Sequence, residues 1–353
     1  MLTRRNFTAS LAALPVLAGP AIGRAAAPGA IRIGMSMAGL GGRPYSFGSA
    51  LSVVHVQGRF EAAFPGTPVQ WHFFAGQGPA VNEALANGAL DFGWQGDLPQ
   101  IVARARGVAT TQLLVTTNRT PVFLVVAKDS PINSLGDLRG KTVANFQGSN
   151  LELSADRILA SAGLNETNLQ IVNLDQMTAL QAVAEHQIDA TFVQLGLLPQ
   201  LRKELKIIYR AGAEHPIFTT QSSLLVTDAF LTAHPDTVAQ VVQVAVGAAH
   251  WASLEANRPA LYEIYGKTGY PPSFIKAIFD SFDLLTASSP LWDPFARAQL
   301  ARSAADCYKF GLIRQRVSTD GWIDTGPLDR ALASQGLQRY WPQYAPDGIT
   351  KIA

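Results

Sequence analysis

The sequence predicts an α/β protein of two lobes with a cleft between them. From Ile31 onward, short apolar strands alternate with amphipathic helices, which is the pattern of parallel βαβ units. This alternation runs once over residues 31–118 and again over residues 119–218, and the chain from 219 to 353 gives one further strand followed by mostly helical sequence. We therefore expect lobe I to combine 31–118 with 219–353 and lobe II to consist of 119–218. The helical C-terminal segment should pack on lobe I, because its apolar faces need a partner.

In lobe I the strands are expected at "IRIGMSM", "VQWHFF", "ALDFGWQ" and "TQLLVTT". The helices are expected at "GSALSVVHVQGRFEAAF", "PAVNEALAN" and "PQIVARAR", each with apolar residues at helical spacing. Gly88 and Gly107 end the last two helices, since glycine readily adopts the left-handed conformation found after a helix.

Lobe II repeats the same order. Strands are expected at "VFLVVAK", "KTVANF", "LQIVNL", "IDATFVQ" and "KIIYRA", and helices at "LELSADRILASAG", "MTALQAVAEHQ" and "LLPQLRKEL". After the strand in "SSLLVTDAF", the helices are "PDTVAQVVQVAVGAAHWASLEA", "PALYEIYGKT", "PSFIKAIFDSFD" and "PFARAQLARSAADCYKFG".

Composition supports two folded cores and gives no sign of a nucleic-acid surface. The 353 residues are 48% hydrophobic and 15% charged, which is ample for packed domains. The net charge of +2 depends on three arginines in the first 30 residues; without them, 25 Lys and Arg face 26 Asp and Glu. Beyond residue 30, no stretch approaches the roughly 20 apolar residues of a membrane span.

Residues 1–27 are typical of a twin-arginine export signal. Arg4 and Arg5 stand in "LTRRNFTAS", before a modestly apolar stretch and a run of small residues. An amphipathic N-terminal helix is the alternative, and the prolines in "LAALPVLAGPAI" disfavour it. We expect cleavage between Ala25 and Ala30 and a periplasmic protein without a lipid anchor, since no Cys follows the leader.

Glycine-rich loops follow four of the predicted strands: "AGLGGRPYSFG", "AGQGP", "WQGDLP" and "FQGSN". The carboxyl ends of the strands in both sheets meet at the cleft, so these loops should form the binding site. Glycine allows close backbone approach, and the N–H groups at a helix N-terminus stabilise an anion by about 0.3–1 kcal/mol. The loops supply these candidate ligand-binding residues: Gly41, Gly42, Arg43, Gly76, Gln77, Trp94, Gln95, Gly96, Asp97, Gln147, Gly148, Ser149 and Asn150.

Trp94 has two interpretations. Large aromatic residues are usually part of a core, but the position of Trp94 at a strand end beside free N–H groups favours an apolar wall against a ligand tail. Arg119 and His215 are also open: each is either a ligand contact or a residue with an ordinary surface or structural role.

The sequence shows no stretch with the full spacing of a catalytic or metal-binding motif. "GDLRGKT" has three residues between its glycines where a phosphate-binding loop needs four, and "GMSMA" precedes a loop and not a nucleophile turn. The six histidines lack metal-ligand spacing, and Cys307 lies in an amphipathic helix where packing is its expected role. We expect no metal and no cofactor.

Three segments carry a family resemblance: "FFAGQGPAVNEALANGALDFGWQGDLPQIVARARG", "SPINSLGDLRGKTVANFQGSN" and "ALQAVAEHQIDA". They resemble the periplasmic solute-binding proteins of ABC importers for aliphatic sulfonates, taurine and nitrate, especially the alkanesulfonate branch. The resemblance implies the two-lobe type II periplasmic binding fold, with two crossover hinge strands near 118–121 and 216–221.

The same resemblance implies capture of a small organic anion, a sulfonate first, by closure of the lobes, and docking on an ABC permease with its ATPase. It adds Thr219 and Thr220, in the "FTTQ" segment, and Gln194 to the candidate ligand contacts. At Gln194 the chain departs from the Trp-Asp-Pro segment that sulfonate binders often carry, which points to an altered ligand. Two alternatives stay open: an enzyme on the same fold, similar to sulfinate desulfinases or thiamine-pyrimidine synthases, and a ligand receptor for a sensor kinase.

Overall fold

Residues 27–75, 77–194, 201, 203–280 and 282–352 are described by the computed structural model. Residues 1–26 of the predicted leader therefore lie outside the described residues, and so do most of the predicted helix "LLPQLRKEL" and the terminal Ala353.

The first βαβ run extends to residue 120. In chain order it comprises β1 (Ile31–Met35), α1 (Ala50–Val56), α2 (Arg59–Ala63), β2 (Val69–Phe73), α3 (Gln77–Ala86), β3 (Phe92–Gly96), α4 (Asp97–Ala105) and β4 (Thr110–Thr120). The helix predicted from Gly48 to Phe64 is two helices, because Gly58 has a φ of 61° and interrupts the helical geometry between α1 and α2.

The second run comprises β5 (Val122–Ala127), β6 (Thr142–Asn145), α5 (Asn150–Ser161), β7 (Gln170–Asn173), α6 (Gln176–Ala184), β8 (Ala190–Val193) and β9 (Leu205–Ala211). The remaining chain comprises β10 (Thr220–Thr227), α7 (Asp228–Ala233), α8 (Pro235–Ser253), α9 (Arg258–Gly266), α10 (Pro272–Phe279), α11 (Leu284–Ala287), α12 (Pro294–Lys309) and α13 (Gly326–Ser334).

Each lobe is built on a five-stranded mixed sheet. The sheet of lobe I has the order β2-β1-β3-β10-β4, with β1, β2 and β3 parallel and β10 antiparallel to both of its neighbours. The sheet of lobe II has the order β7-β6-β8-β5-β9, with β5 antiparallel to β8 and β9. The parallel strands β1, β2, β3, β6 and β7 are each followed by a helix, and their carboxyl ends face the space between the lobes.

The chain crosses between the lobes twice, and the crossings lie side by side. β4 leads through Pro121 into β5, and the return passes through a short 3-10 turn at Pro216–Phe218 into β10. Thr120 pairs with Thr220, so the two crossing segments are joined at the rim of the lobe I sheet. Arg119, at the first crossing, has a φ of 57°, an uncommon conformation for a residue with a side chain.

The helical C-terminal segment completes the lobe I core. The buried face of α8 includes Val238, Val242 and Val246, and it belongs to the same hydrophobic cluster as Ile33 of β1. Trp322 accepts a backbone hydrogen bond of 2.9 Å from Gln112 of β4, which attaches the final segment to the sheet edge. Burial of these apolar side chains is the main stabilising contribution in this lobe. Within the residues described, no helix is long and apolar enough to cross a membrane.

Candidate functional site

A cavity of about 110 Å³ lies between the lobes, at the carboxyl ends of the strands. A water molecule needs roughly 10–15 Å³ by this measure, so the cavity has room for a small solute. Its wall is formed by Ser36, Met37, Phe47, Gly48, Gly78, Trp94, Gly96, Pro99, Thr117, Thr120, Ser149, Asn150, Gln176, Gln194, Thr220, Ser222, Ile278, Phe279 and Phe282.

The apolar side of the cavity belongs to lobe I. Trp94 at the end of β3 is 5% exposed, and its indole N–H donates a 2.8 Å hydrogen bond to Thr116 Oγ1. Because this donor is satisfied within the protein, Trp94 offers a ligand only the apolar surface of its ring. Phe47, Phe279 and Phe282 continue the apolar side, and the ring centroids of Phe279 and Phe282 are 5.2 Å apart.

The polar side is supplied by lobe II and by the crossing segment. Ser149 is the N-cap of α5: its Oγ accepts from Leu151 N at 3.2 Å and donates to the Phe146 carbonyl at 2.6 Å. Gln194 Nε2 donates to Thr220 Oγ1 at 2.5 Å and lies 3.4 Å from Asn150 Oδ1. These amides and hydroxyls surround the polar end of the cavity with neutral donors and acceptors.

Helices α3, α4, α5 and α6 all begin at the cavity. Gly78 lies in the first turn of α3, Gly96 is the N-cap of α4, and Ser149 and Asp175 are the N-caps of α5 and α6. The unpaired backbone N–H groups of a helix N-terminus carry roughly half a positive charge. At α6 the Asp175 carboxylate already accepts from Met177 N and Thr178 N, at 3.0 and 3.1 Å, so this end offers little to an anion. The N-termini of α3, α4 and α5, which reach the cavity at Gly78, Gly96 and Ser149, favour an anionic group there.

Among the described residues that line the cavity, none is Lys, Arg, His, Asp or Glu. Arg43, the cation of the first loop, is exposed and packs beside Gly269, where an added Cβ would lie 2.7 Å from Arg43 Nη1. Arg119 lies in a separate cavity at the crossing, with its Cζ 3.6 Å from the ring centroid of Tyr344, and burial lowers the pKa of its guanidinium. Neither cation compensates a ligand charge in the main cavity.

The two lobes approach each other closely at glycines. A Cβ on Gly96 would lie 2.6 Å from Cβ of Asn150 in lobe II, and a Cβ on Gly148 would lie 3.1 Å from Cγ of Pro79 in lobe I. Contacts under 3.0 Å do not occur between real atoms of this kind. Gly96 therefore permits the lobes to meet over the cavity.

Asp97 is directed away from the cavity into a buried network between the lobes. Its Oδ2 accepts a 2.5 Å hydrogen bond from Ser303, and burial raises the pKa of its carboxyl, opposed by the charge of Arg157 and by the Ser303 bond. Arg157, on α5 of lobe II, reaches lobe I, where its Nε lies 2.7 Å from Asp306 Oδ2 and its Nη2 donates to Ser303 Oγ at 2.8 Å. The network joins the lobes beside the site.

The structure thus gathers only part of the predicted set at the cavity wall. Trp94, Gly96, Ser149, Asn150, Gln194 and Thr220 line it. Six other predicted residues are not part of this wall. Gly41, Gly42 and Gln147 are exposed, and Gly148 packs against Pro79. The Thr219 hydroxyl donates to the Pro216 carbonyl, and the Gln95 amide donates to Asn82. Gln77 is the first residue of α3, and Gly76 lies outside the described residues. His215 is exposed and precedes the 3-10 turn of the return crossing.

Sequence reasoning missed the contributions of the C-terminal segment. Ile278 and Phe279 of α10 and Phe282 after it line the cavity, although no strand-end pattern marks them. Phe47 also lines the cavity and stands in the first glycine-rich loop, where the pattern points to the glycines. A signal was present, since "FIKAIFDSF" holds three phenylalanines and two isoleucines at helical spacing. That pattern is equally typical of a helix buried in a core.

The fold and this cavity define the class: a two-lobe α/β protein of the type II periplasmic binding architecture, as predicted. The chain belongs to the NMT1/THI5-like family, whose profile matches residues 74–256. Among curated relatives, an Escherichia coli K12 protein named for the binding of aliphatic sulfonates is 32% identical over 171 residues, which is 48% of this chain and 50% of the relative. The match therefore spans about half the length of that relative.

Two solved structures are similar to this fold over most of the chain. A periplasmic sulfonate-binding protein, SsuA by its name, from Methylobacillus flagellatus KT is 25% identical, covers 89% of this chain and 97% of its own, and has a TM-score of 0.78. The desulfurization enzyme DSZB is 18% identical, covers 87% and 99%, and has a TM-score of 0.63. The fold class is confirmed, and the fold alone is compatible with both binding proteins and an enzyme.

Proposed function

We propose that this chain is the substrate-binding component of an ABC importer and that it captures a small organic anion, a sulfonate first, between its lobes. The observation that carries the proposal is a cavity with neutral donors and helix N-termini on one side and aromatic rings on the other. Such a cavity suits a ligand with an anionic head and an apolar tail. The names of the relatives support the same ligand class.

In this proposal the head group contacts Ser149, Asn150, Gln194 and Thr220, and the tail contacts Trp94. Ligand contacts made by both lobes stabilise the closed form, since a ligand that binds the open and closed forms equally cannot shift their populations. The closed protein then delivers its ligand to the permease and ATPase.

An enzyme on this fold is the second candidate, and the cavity argues against it. General acid–base or nucleophilic catalysis needs a titratable or activated group within reach of the substrate, and the described wall of the cavity has none. Cys307 is buried, and burial raises the pKa of its thiol far above its ordinary value, which disfavours the thiolate. Turnover of a bound sulfonate or sulfinate would overturn this assignment.

We infer periplasmic location and the twin-arginine route from the leader sequence. Replacement of Arg4 and Arg5 by lysine should hold the precursor in the cytoplasm if the twin-arginine route is used, as seen by cell fractionation. Continued export of the variant would contradict that route while leaving the binding function untouched.

Binding is tested by a thermal-shift screen of the protein without residues 1–27 against alkanesulfonates, taurine, aromatic sulfonates, nitrate and small carboxylates, followed by isothermal titration. A ligand at 100 times its dissociation constant adds about 2.7 kcal/mol to the free energy of unfolding. A sulfonate that binds the wild type, and binds Trp94→Ala at least about tenfold more weakly, is the expected result. The absence of binding by every anion would overturn the proposal.

A further inference from the structure

The apolar side of the cavity is a rigid cluster of aromatic rings contributed largely by the C-terminal segment. The Phe279 ring centroid lies 4.8 Å from that of Tyr265, 5.2 Å from that of Phe282 and 5.9 Å from that of Phe47. Phe279 is 5% exposed and lines the cavity. Phe279 packs edge-to-face on Phe47 and Phe282 and at a tilt of 43° on Tyr265, which restricts the movement of its ring. The wall is therefore preformed and does not have to order around a ligand.

Trp94 adds a second aromatic surface to the same cavity, and its only polar group is bonded to Thr116. A flat ring placed against these surfaces replaces water on several faces at once, whereas a methyl or short chain leaves much of the wall uncovered. An ammonium group on the tail would find no carboxylate among the described lining residues. The wall therefore favours an uncharged ring over a short or aminated tail.

The charge that the cavity can hold is also limited. Its described lining has no cationic side chain, so a bound anion is stabilised by helix N-termini, hydroxyls and amides alone. The cost of taking an ion out of water rises with the square of its charge. A sulfonate carries a single charge over three oxygens, whereas a phosphonate above its second pKa carries two. The cavity therefore favours the singly charged group.

We propose that the cavity selects a singly charged anion with a ring-bearing apolar tail, the ring lying against Phe279 and Phe282 and the head against the α5 N-terminus. This inference rests on the proposed function, because it specifies the ligand of the same site. It assigns Phe279 and Phe282 as residues that determine ligand specificity.

The test is isothermal titration at pH 8.5 with benzenesulfonate, methanesulfonate, taurine and phenylphosphonate. Benzenesulfonate should bind at least about tenfold more tightly than methanesulfonate, the ratio that corresponds to a favourable ring contact. Taurine should bind no better than methanesulfonate. Phenylphosphonate, which has the same ring and is doubly charged at this pH, should bind at least about tenfold more weakly than benzenesulfonate.

Variants separate the wall from general effects on folding. Phe282→Ala and the milder Phe279→Leu should each weaken benzenesulfonate binding by about fivefold or more and leave methanesulfonate binding unchanged. Phe274→Leu is the matched control. Phe274 is buried in the same ring cluster, with its ring centroid 6.3 Å from that of Phe47, but it does not line the cavity. It should leave the ratio of the two affinities as in the wild type.

Equal affinities for benzenesulfonate and methanesulfonate would overturn this inference and leave the sulfonate-binding function standing. The same holds if phenylphosphonate matches benzenesulfonate, or if Phe274→Leu changes the ratio as much as Phe279→Leu does. Failure of every sulfonate to bind would overturn the proposed function together with this inference.

Discussion

Asp156 of α5 is a buried carboxyl group that should make the stability of this protein fall as the pH rises. It is 7% exposed, and its Oδ1 has no hydrogen-bond partner among the described residues. Burial first, and then the charges of Glu166 and Glu152, raise its pKa to about 8, opposed by Arg157. We predict that Asp156→Asn stabilises the protein at neutral pH.

The sign follows from proton linkage. Between pH 4 and pH 8 the folded protein holds on Asp156 a proton that the unfolded chain has released, so the free energy of unfolding falls through this window. Each pH unit above the ordinary pKa of 3.8 lowers the free energy of unfolding by about 1.4 kcal/mol until the pH reaches the folded pKa. At pH 7 the loss amounts to about 4 kcal/mol. The amide carries no such proton, but its own burial costs about 1–3 kcal/mol. The variant should therefore gain about 2 kcal/mol at pH 7.

The measurement is urea denaturation followed by tryptophan fluorescence at pH 4.5 and pH 7. At pH 4.5 the penalty is only about 1 kcal/mol, so the variant should be no more stable than the wild type there. Asp137→Asn is a control of opposite sign. Asp137 is exposed, and hydrogen bonds from Asn133 and Ser134 lower the pKa of its carboxyl, so its replacement should destabilise the protein at pH 7.

A stability change in Asp156→Asn that is the same at both pH values would refute the reasoning, since it would show that Asp156 takes up no proton on folding. A loss of stability at pH 7 would show that the Asp156 carboxylate is better accommodated than its surroundings indicate.

Three further predictions concern the cleft. Gly96→Ala should weaken ligand binding by about tenfold or more in isothermal titration, because the added Cβ would meet Asn150 when the lobes close. Gly136→Ala is the control: its added Cβ would lie at an ordinary contact distance from its neighbours, so this variant should bind as the wild type does. Arg157→Met should lower the free energy of unfolding by about 3 kcal/mol in urea denaturation, and pairing it with Asp306→Asn should restore part of that loss. The dissociation constant for benzenesulfonate should be the same at pH 6 and pH 8, because no described lining residue titrates; a tenfold change would contradict the geometry of the site.

The sequence predicted the fold well because alternation of apolar strands with amphipathic helices is a local signal repeated many times. It also predicted that the site lies at the strand ends, and Trp94 and Gly96 at the end of β3 both line the cavity. Successive side chains of a strand point to opposite faces. Gln95, between them, is accordingly on the other face, where its amide contacts Asn82.

The rest of the site depends on contacts that no local pattern records. Asp97 follows a strand end, a position that predicts a ligand contact, but its carboxyl group accepts a hydrogen bond from Ser303 of α12, far along the chain. Phe279 and Phe282 reach the cavity only because the C-terminal segment packs back on lobe I. Their sequence looks like that of any core helix, so only the tertiary arrangement distinguishes them.

The position of β10 has a consequence for how the chain folds. β10 lies inside the lobe I sheet, between β3 and the edge strand β4, although it follows all of lobe II in sequence. The strands of lobe II, in contrast, all lie between Val122 and Ala211. During synthesis from the N-terminus, lobe II can therefore form its sheet while lobe I still lacks the strand that joins β3 to β4. Lobe I closes last, through pairings between distant segments that form slowly.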